Sequence, residues 1–358
     1  MTATATRSAP AAEAGHRLSF VLPPELEAAE PAEARGLTRD AVRMMVAHRS
    51  TGRLTHRTFS LLPSFLLPGD LVVVNTSGTI PAELDAVAGD GTPVVVHLST
   101  QLEGEEWVVE LRRPVGRGTQ RWSGRPPASP LTLGPEASLV LHDRYGAAGR
   151  LWVAGLRLPQ RTLTWLAAHG RPIRYGYVDR PWPLAVHQNV YATEPGSAEM
   201  PSAGRPFTPE IITRLVAKGV GVVPLVLHTG VASPEADELP YPERAHVPAG
   251  TAAAVNAARE RGHRVIAVGT TVVRALETAV DRRGTAVPFD GWTDLVISPE
   301  QGVRIVDGLL TGWHEPGASH LLLLEAVADR DLLRRSYEAS LAEGYLWHEF
   351  GDVHLILP

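Results

Sequence analysis

Val265-Ile-Ala-Val-Gly-Thr-Thr-Val-Val-Arg-Ala-Leu-Glu-Thr278 is the stretch that decides how the chain is read. Val265 to Val268 form an apolar run of strand length, Gly269-Thr270-Thr271 has the composition of a tight turn, and Val272 to Val280 puts Val273, Leu276 and Val280 on one helical face. A strand, a turn and a helix in that order aim the free N–H groups of the helix's first turn, with two hydroxyls beside them, at the strand's carboxyl end. An anionic or hydroxyl-bearing ligand is favoured there. Arg274 and Glu277, three residues apart, either flank such a pocket or pair with each other. An ordinary strand-to-helix connection capped by threonine satisfies the same pattern.

Length and composition limit what this element belongs to. A chain of 358 residues with 44% hydrophobic content exceeds the size at which one core stops growing, so two domains are expected. Charged residues make up 20% and the formal net charge is −5, which gives no global field for nucleic acid or an anionic membrane. Any such contact must be local. Cysteine is absent, which excludes disulfides, thiolate metal sites and cysteine nucleophiles. Met1 to Arg17 lacks a continuous apolar run, so it reads as neither signal peptide nor membrane span, and residues 1–18 are expected to be disordered. A soluble cytoplasmic protein is the default expectation. Lys218 is the single lysine among 34 basic residues, a bias that weakens any argument from arginine number.

Outward from the central stretch, two textures divide the chain. Val42–Ala47, Leu71–Val74, Val94–Leu98, Trp107–Leu111, Ser138–His142 and Leu151–Val153 are short apolar runs separated by Gly, Pro and Asp, with no helix-period stretch between about 70 and 155. This predicts a compact antiparallel β-barrel over 61–155. Residues 19–60 and 156–358 are expected to form an α/β domain, with helices at 161–169, 209–218, 250–261, 271–281 and 319–328 and strands at 220–227, 264–268, 294–297 and 303–306. The fold class is therefore an α/β domain with helices covering a mixed or parallel sheet, plus a smaller inserted antiparallel barrel.

Several stretches carry chemistry. Arg112, Arg113, Arg117, Arg121 and Arg125 surround Trp122 among Gly and Pro, a composition that suits a flexible loop contacting a phosphate backbone and stacking a base, or simply a solvated loop. From Arg171 to Thr208 the hydrophobic period vanishes while Tyr, His, Ser and Gly accumulate, including Pro195-Gly-Ser197 and Pro201-Ser-Ala-Gly-Arg-Pro-Phe-Thr208. Long aperiodic segments within compact domains usually build sites. His228 and Thr229 follow a strand's carboxyl end, and Asp294, Asp307 and His314 are further candidates for proton transfer, which near neutral pH needs imidazole or environment-shifted carboxylates. No G-x-x-x-x-G-K-[ST], G-x-G-x-x-G, G-x-S-x-G or H-E-x-x-H motif is present, which removes most of the weight from kinase, dehydrogenase, serine-hydrolase and zincin readings.

Val268-Gly-Thr-Thr-Val-Val-Arg-Ala-Leu-Glu277, Gly291-Trp-Thr-Asp294, Val306-Asp-Gly-Leu-Leu-Thr-Gly-Trp-His314 and Phe350-Gly-Asp352 resemble the S-adenosylmethionine:tRNA ribosyltransferase-isomerase (QueA) family of queuosine synthesis. Leu22-Pro-Pro-Glu-Leu26, Pro68-Gly-Asp-Leu71, Val190-Tyr-Ala192, Pro195-Gly-Ser197, Pro201-Ser-Ala-Gly204, Phe207-Thr208 and Leu227-His228 fall in the family's order across nearly the whole chain. The resemblance implies transfer of the ribosyl part of S-adenosylmethionine to 7-aminomethyl-7-deazaguanine at the tRNA wobble position, with adenine and methionine released. It implies S-adenosylmethionine as co-substrate, no metal, and an α/β domain with an inserted barrel. Carried onto this sequence, it assigns Tyr191, Ser202, Ala203, Gly204, Phe207, Gly269, Thr270, Thr271, Arg274 and Glu277 to S-adenosylmethionine, His228, Asp294 and His314 to proton transfer, and the Arg112–Trp122 stretch to tRNA.

The departures are localised. Where the family reads N-D-T-R-V-I-P-A-R-L, this chain has Asn75-Thr-Ser-Gly-Thr-Ile-Pro-Ala-Glu-Leu84, losing an Asp and both arginines. Pro206 stands at a histidine position, and of the M-H-S-E motif only Glu243 is retained. A small deazapurine-like acceptor in place of tRNA, and a non-catalytic binding homologue, are the alternatives these changes raise.

Overall fold

In the computed structural model of the chain, which describes residues 18–116, 118–146, 149–231 and 240–358, the strand Val265–Val268 runs parallel to a neighbour on each side, Leu71–Asn75 and Gly308–Gly312. All four of its residues are buried. Alternate side chains enter different cores: Val265 and Ala267 join Val73 and Leu309 on one face, while Ile266 and Val268 join Val72, Val74 and Leu310 on the other. A strand covered on both faces has no polar side to show, which is why the sequence reads as a continuous apolar run.

The sheet around it has nine strands, in the order Phe289–Thr293, Glu243–Val247, Gly221–Leu227, Leu71–Asn75, Val265–Val268, Gly308–Gly312, Val353–Leu357, Arg43–His48 and Leu54–Thr58. The four strands from Gly221–Leu227 to Gly308–Gly312 are mutually parallel, so their carboxyl ends open on the same edge. The outer strands add antiparallel pairings on both flanks. The helix Thr270–Thr278 sinks Val272, Val273, Ala275 and Leu276 into the main core.

Six antiparallel strands close into a barrel: Glu83–Val87, Pro93–Gln101, Glu106–Val115, Leu151–Arg157, Ala137–Tyr145 and Leu131–Gly134, returning to the first through the Val87–Thr132 pair. Alternating residues such as Leu84, Val96, Leu98, Val109, Leu111, Leu139 and Leu151 form its core, and Trp165 and Leu166 of the helix Thr162–His169 pack against it. The α/β-plus-barrel architecture is the one expected. The chain leaves the large sheet at Asn75 and comes back through Glu194–Ser197, which pairs in parallel with Ser77–Thr79.

Several details differ from the sequence expectation. Leu71–Val74 belongs to the centre of the large sheet, not to the barrel, because a strand buried on both faces and a barrel strand share the same short apolar texture. Segments 294–297 and 303–306 are not strands; the neighbouring strands are Phe289–Thr293 and Gly308–Gly312. Ile297, Ile305 and Val306 are still buried, but the N–H groups of Arg304, Ile305 and Val306 donate to the Glu277 carboxylate instead of to a strand. The helix Arg330–Ala342 and the strand Val353–Leu357 extend the fold beyond the last element expected. The basic stretch is largely a hairpin, Glu106–Val115 paired with Gly118–Arg121, with Arg117 outside the described residues. Of the segment expected to be disordered, residues 1–17 lie outside the described residues and Leu18 packs into the main core.

The apolar face of the helix Thr270–Thr278 gives a direct stability test. Leu276→Ala, at a site with no exposed surface, is expected to cost about 2–5 kcal/mol in urea unfolding. Val216→Ala, 59% exposed on the helix Pro209–Ala217, should change the stability by less than about 0.5 kcal/mol.

Candidate functional site

Of the four parallel strands, three send loops from one edge into the lining of a single cleft: Thr229 after Gly221–Leu227, Gly269 to Thr271 after Val265–Val268, and Trp313 and His314 after Gly308–Gly312. Gly269 adopts φ +94°, a conformation that glycine takes without strain, and it starts the helix at Thr270, two residues earlier than the apolar period suggests. Its N–H donates to the Leu310 carbonyl at 2.8 Å, fixing the turn against the neighbouring strand. The helix's first amides then face the cleft beside the Thr270 and Thr271 side chains. Asn75, at the end of the adjacent strand, is 1% exposed and bridges three segments. Its Oδ1 accepts from Leu227 N at 3.0 Å and Ser77 N at 3.1 Å, while Nδ2 donates to the Leu227 carbonyl at 2.8 Å and reaches Thr271 Oγ1 at 3.4 Å.

The cleft has two lobes. The larger, of about 270 Å³, is bounded by Gly269, Thr270, Thr271, Ser202 and Ala203 on one side and by Tyr175, Tyr177, His314, His348 and Glu349 on the other. The smaller, of about 130 Å³, extends over Arg274, Tyr241, Glu243, Ile297 and Leu323 to Ser99 and Thr100 of the barrel. Glu199, Thr229, Thr270, Thr271 and His320 line both, so the lobes meet over the helix N-terminus.

Their electrostatics differ. Glu199, Glu315 and Glu349 line the larger lobe, and among the described residues its lining holds neither Arg nor Lys. A cation is favoured there. In the smaller lobe Arg274 forms an ion pair with Glu243 and donates through Nε to the Leu295 carbonyl at 3.1 Å. Glu243 also accepts from Gly230 N at 3.1 Å, and burial pushes its carboxyl up against the pull of Arg274. The retained Glu243 is thus the brace of Arg274.

The residues named from sequence divide into those the cleft gathers and those it does not. Gly269, Thr270, Thr271, Arg274, Ser202, Ala203 and His314 line it. His228 lines neither lobe: its Nδ1 shares a 2.7 Å hydrogen bond with Ser77 Oγ, which lies 2.5 Å from Ser197 Oγ, and a Cβ on Gly196 would sit 2.6 Å from the imidazole. That arrangement ties the Pro195–Ser197 turn to the sheet. Asp294 is exposed and outside both lobes. Glu277 is 3% exposed and spent on the 304–306 backbone, so it neither pairs with Arg274 nor faces the cleft. Asp307 accepts from Val265 N at 2.8 Å, a bond within the sheet. Phe207 is fully buried, edge-on to Phe59 and Tyr191. Tyr191 and Gly204 lie behind the lining, where a Cβ on Gly204 would collide with the Tyr191 hydroxyl.

The basic hairpin spends much of its charge on itself. Arg112 donates to Thr119 Oγ1 at 2.7 Å and pairs with Glu110 at 3.0 Å, and Arg113 lies 4.4 Å over the Trp122 ring. Glu83, at a position where the family pattern has arginine, is 6% exposed and bonded to Arg171 at 2.6 Å and His97 at 2.8 Å.

Glu199, His320, Tyr175, Tyr177, His348 and Glu349 also line the cleft and are not among the candidates named from sequence. Glu199, Tyr175 and Tyr177 lie inside the aperiodic segment, and that absence of hydrophobic period is the signal that could have found them. His320 opens the helix His320–Val327 and stacks on His314 with centroids 4.6 Å apart. His348 carries φ +71°, unusual for a residue with a side chain, and strained backbone of this kind concentrates at functional sites.

The cleft belongs to a chain with recognisable relatives. Residues 16–356 match the family described as queuosine biosynthesis protein. The chain belongs to that family. It is similar to the S-adenosylmethionine:tRNA ribosyltransferase-isomerases of Moorella thermoacetica, at 36% identity over 94% of this chain and 98% of the relative, and of Thermotoga maritima, at 36% identity with the same coverage. A solved structure of the S-adenosylmethionine tRNA ribosyltransferase from Thermotoga maritima superposes with a TM-score of 0.53 at 31% identity, covering 95% of this chain and 99% of that one. Among the described residues no group of three or more His, Asp or Glu side chains is placed to hold a metal ion, and no helix is long and apolar enough to cross a membrane.

The histidines of this family member make its stability depend on pH. Burial and the neighbouring imidazoles hold His314 well below its ordinary value, burial also lowers His228, and burial pushes His354 from 6.5 down to about 3. A base whose folded pKa is depressed binds its proton more readily when unfolded, so its contribution to stability is present above the unfolded value and is lost as pH falls toward the folded one. The thermal midpoint is expected to fall between pH 7 and pH 5, and less steeply in His354→Leu; equal slopes in scanning calorimetry would contradict this.

Proposed function

We propose that this chain transfers and isomerises the ribosyl part of S-adenosylmethionine onto 7-aminomethyl-7-deazaguanine in tRNA, releasing adenine and methionine. The observation that carries the reading is the two-lobed cleft over the Gly269–Thr271 helix start, acid-lined on one side, in a chain whose relatives carry that name over 94% of its length. The substrate is anionic at its carboxylate and cationic at sulfur. The helix amides with the Thr270 and Thr271 hydroxyls suit the first, and Glu199 at the junction suits the second.

The sulfonium acidifies the neighbouring C5′ hydrogens, so that a base can remove one and adenine can leave. Of the three proton-transfer candidates, His314 is the one we assign, because it lines the cleft and burial keeps its imidazole unprotonated at pH 7, with a lone pair free to accept a proton. Its Nε2 shares a 2.8 Å hydrogen bond with Thr311 Oγ1, which holds the ring's orientation. His228 supports the cleft indirectly, by fixing the Pro195–Ser197 turn. On the barrel hairpin, Arg113 is assigned to the tRNA backbone and the Trp122 ring beside it to stacking on a base, and a cytoplasmic location goes with that substrate. One observation favours a second acceptor class, a free deazapurine: the 75–84 stretch lacks both arginines of the family pattern, and Glu83 at one of those positions is paired with Arg171 at 2.6 Å, so no cation there is left for a phosphate.

Two measurements test the reading. Replacing Thr270 and Thr271 together by Val removes two hydroxyls from the cradle and should weaken S-adenosylmethionine binding about 10-fold or more, at about 1 kcal/mol for each lost hydrogen bond; unchanged affinity by calorimetry would overturn the cradle. Binding of unmodified tRNA should be measurable at about 50 mM salt and fall steeply by about 200 mM, as phosphate contacts dictate. No affinity at the lower salt would exclude tRNA in favour of the small acceptor.

A further inference from the structure

The larger lobe continues past the helix start into a region that the S-adenosylmethionine cradle does not require. Tyr175, Tyr177 and His348 form a ladder of near-parallel rings, with centroids 5.7 Å and 4.1 Å apart and interplanar angles of 8° and 15°. Two carboxylates stand along this ladder in different places. Glu199 accepts from the Tyr175 hydroxyl and lines the junction with the smaller lobe. Glu349 lines the larger lobe alone, its side chain 13% exposed, with Oε2 3.6 Å from His187 Nδ1 and with no hydrogen-bond partner for the buried Oε1 among the described residues. A buried carboxylate oxygen without a donor is costly, and a donor bound in the lobe that Glu349 lines offers this carboxylate the partner it lacks.

We infer that this aromatic and acidic end of the lobe is the subsite for the acceptor base, with Glu349 reading its Watson–Crick edge and Glu199 facing its aminomethyl group. The inference rests on the function proposed above and deepens it. A 7-aminomethyl-7-deazaguanine presents donors in two places, N1–H with the 2-amino group on one edge and an ammonium on the opposite side, and its plane suits a wall of tyrosines. An extruded base is held by such stacking together with edge hydrogen bonds. A lobe lined by carboxylates and, among the described residues, lacking Arg and Lys complements that pattern. The two positions set the roles. The amine must reach the sugar at the junction, where Glu199 lies, so the opposite edge of the base points toward Glu349. Attack requires the neutral amine: the ammonium gives a proton to the Glu199 carboxylate, and the freed nitrogen lone pair forms the new C–N bond to the C1′ carbonyl carbon left when adenine departs, whose π pair moves onto oxygen.

The test uses the full chain and an anticodon stem-loop RNA carrying 7-aminomethyl-7-deazaguanine, with a second stem-loop whose modified base lacks the 2-amino group. Without S-adenosylmethionine, the wild type should bind the first about 10-fold or more tightly than the second, and Glu349→Gln should bind the two within about 2-fold of each other, as expected when a buried hydrogen-bond partner is lost. In turnover, Glu349→Gln should raise the acceptor KM about 10-fold or more with the S-adenosylmethionine KM unchanged, and Glu199→Gln should lower kcat. Glu349→Asp, which keeps the charge, serves if the glutamine variant does not fold, and should keep the preference for the 2-amino group. Undiminished discrimination by Glu349→Gln, or a rise in the S-adenosylmethionine KM in place of the acceptor KM, overturns the subsite while leaving the proposed function standing. Failure of the wild type to release adenine with either stem-loop overturns the function itself.

Discussion

The hydrogen bonds of the Asn75 amide are the constraint on which the cleft depends. One buried side chain holds the end of its own strand, both backbone groups of Leu227 on the neighbouring strand, the start of the excursion at Ser77, and Thr271 beyond the helix start. Its partners come from three segments, and each segment delivers residues to the cleft or its wall. A buried amide that donates and accepts at once among fixed backbone atoms can be replaced by no other side chain without leaving at least one of them unsatisfied. The position of Thr229, the orientation of Thr271 and the path of the Ser77–Thr79 strand follow from it.

Around that anchor the molecule separates its charges. Arg274, the cation of the smaller lobe, is neutralised by Glu243 and steadied by backbone carbonyls. Glu277, one helical turn from Arg274 and within the spacing at which such pairs form, is drawn off instead to accept from the 304–306 backbone. The barrel keeps a network of its own, in which Glu83, His97 and Glu110 are all nearly inaccessible and are met by Arg171 and Arg112. Buried ions at this density demand partners, and the partners are drawn from segments far apart in sequence. These cations are therefore committed to structure, and the larger lobe is left with its carboxylates.

The strand, glycine turn and helix near residue 269 were legible because every level agrees there: apolar run, turn residues and helical period point the same way. The barrel was legible from spacing alone, yet the same spacing misplaced Leu71–Val74, since burial on both faces and burial inside a barrel write the same letters. Residues 294–297 and 303–306 read as strands because they are apolar, and nothing local announces that a carboxylate from the helix takes up N–H groups of the second segment. In the cleft, Thr270, Thr271 and His314 sit in recognisable motifs, whereas His320 and the consecutive His348 and Glu349, just before Phe350-Gly-Asp352, join them only when the strands are assembled. His228, read at a strand's carboxyl end, and Asp294 lie outside both lobes, because side-chain direction is not written in the pattern.

The short parallel pair Ser77–Thr79 and Glu194–Ser197 has a mechanical meaning. It is the neck through which the chain departs for the barrel and returns, and the Ser197 hydroxyl at its end accepts from Thr229 N while the Glu199 carbonyl, two residues on, accepts from Thr229 Oγ1. Departure and return are clamped together, so the joint between barrel and sheet is built into the wall of the cleft, where Ser99 of the barrel also accepts from Val231 N at 3.0 Å. A change in the angle of that neck is therefore a change in the positions of Glu199 and Thr229, the two residues standing where the lobes join.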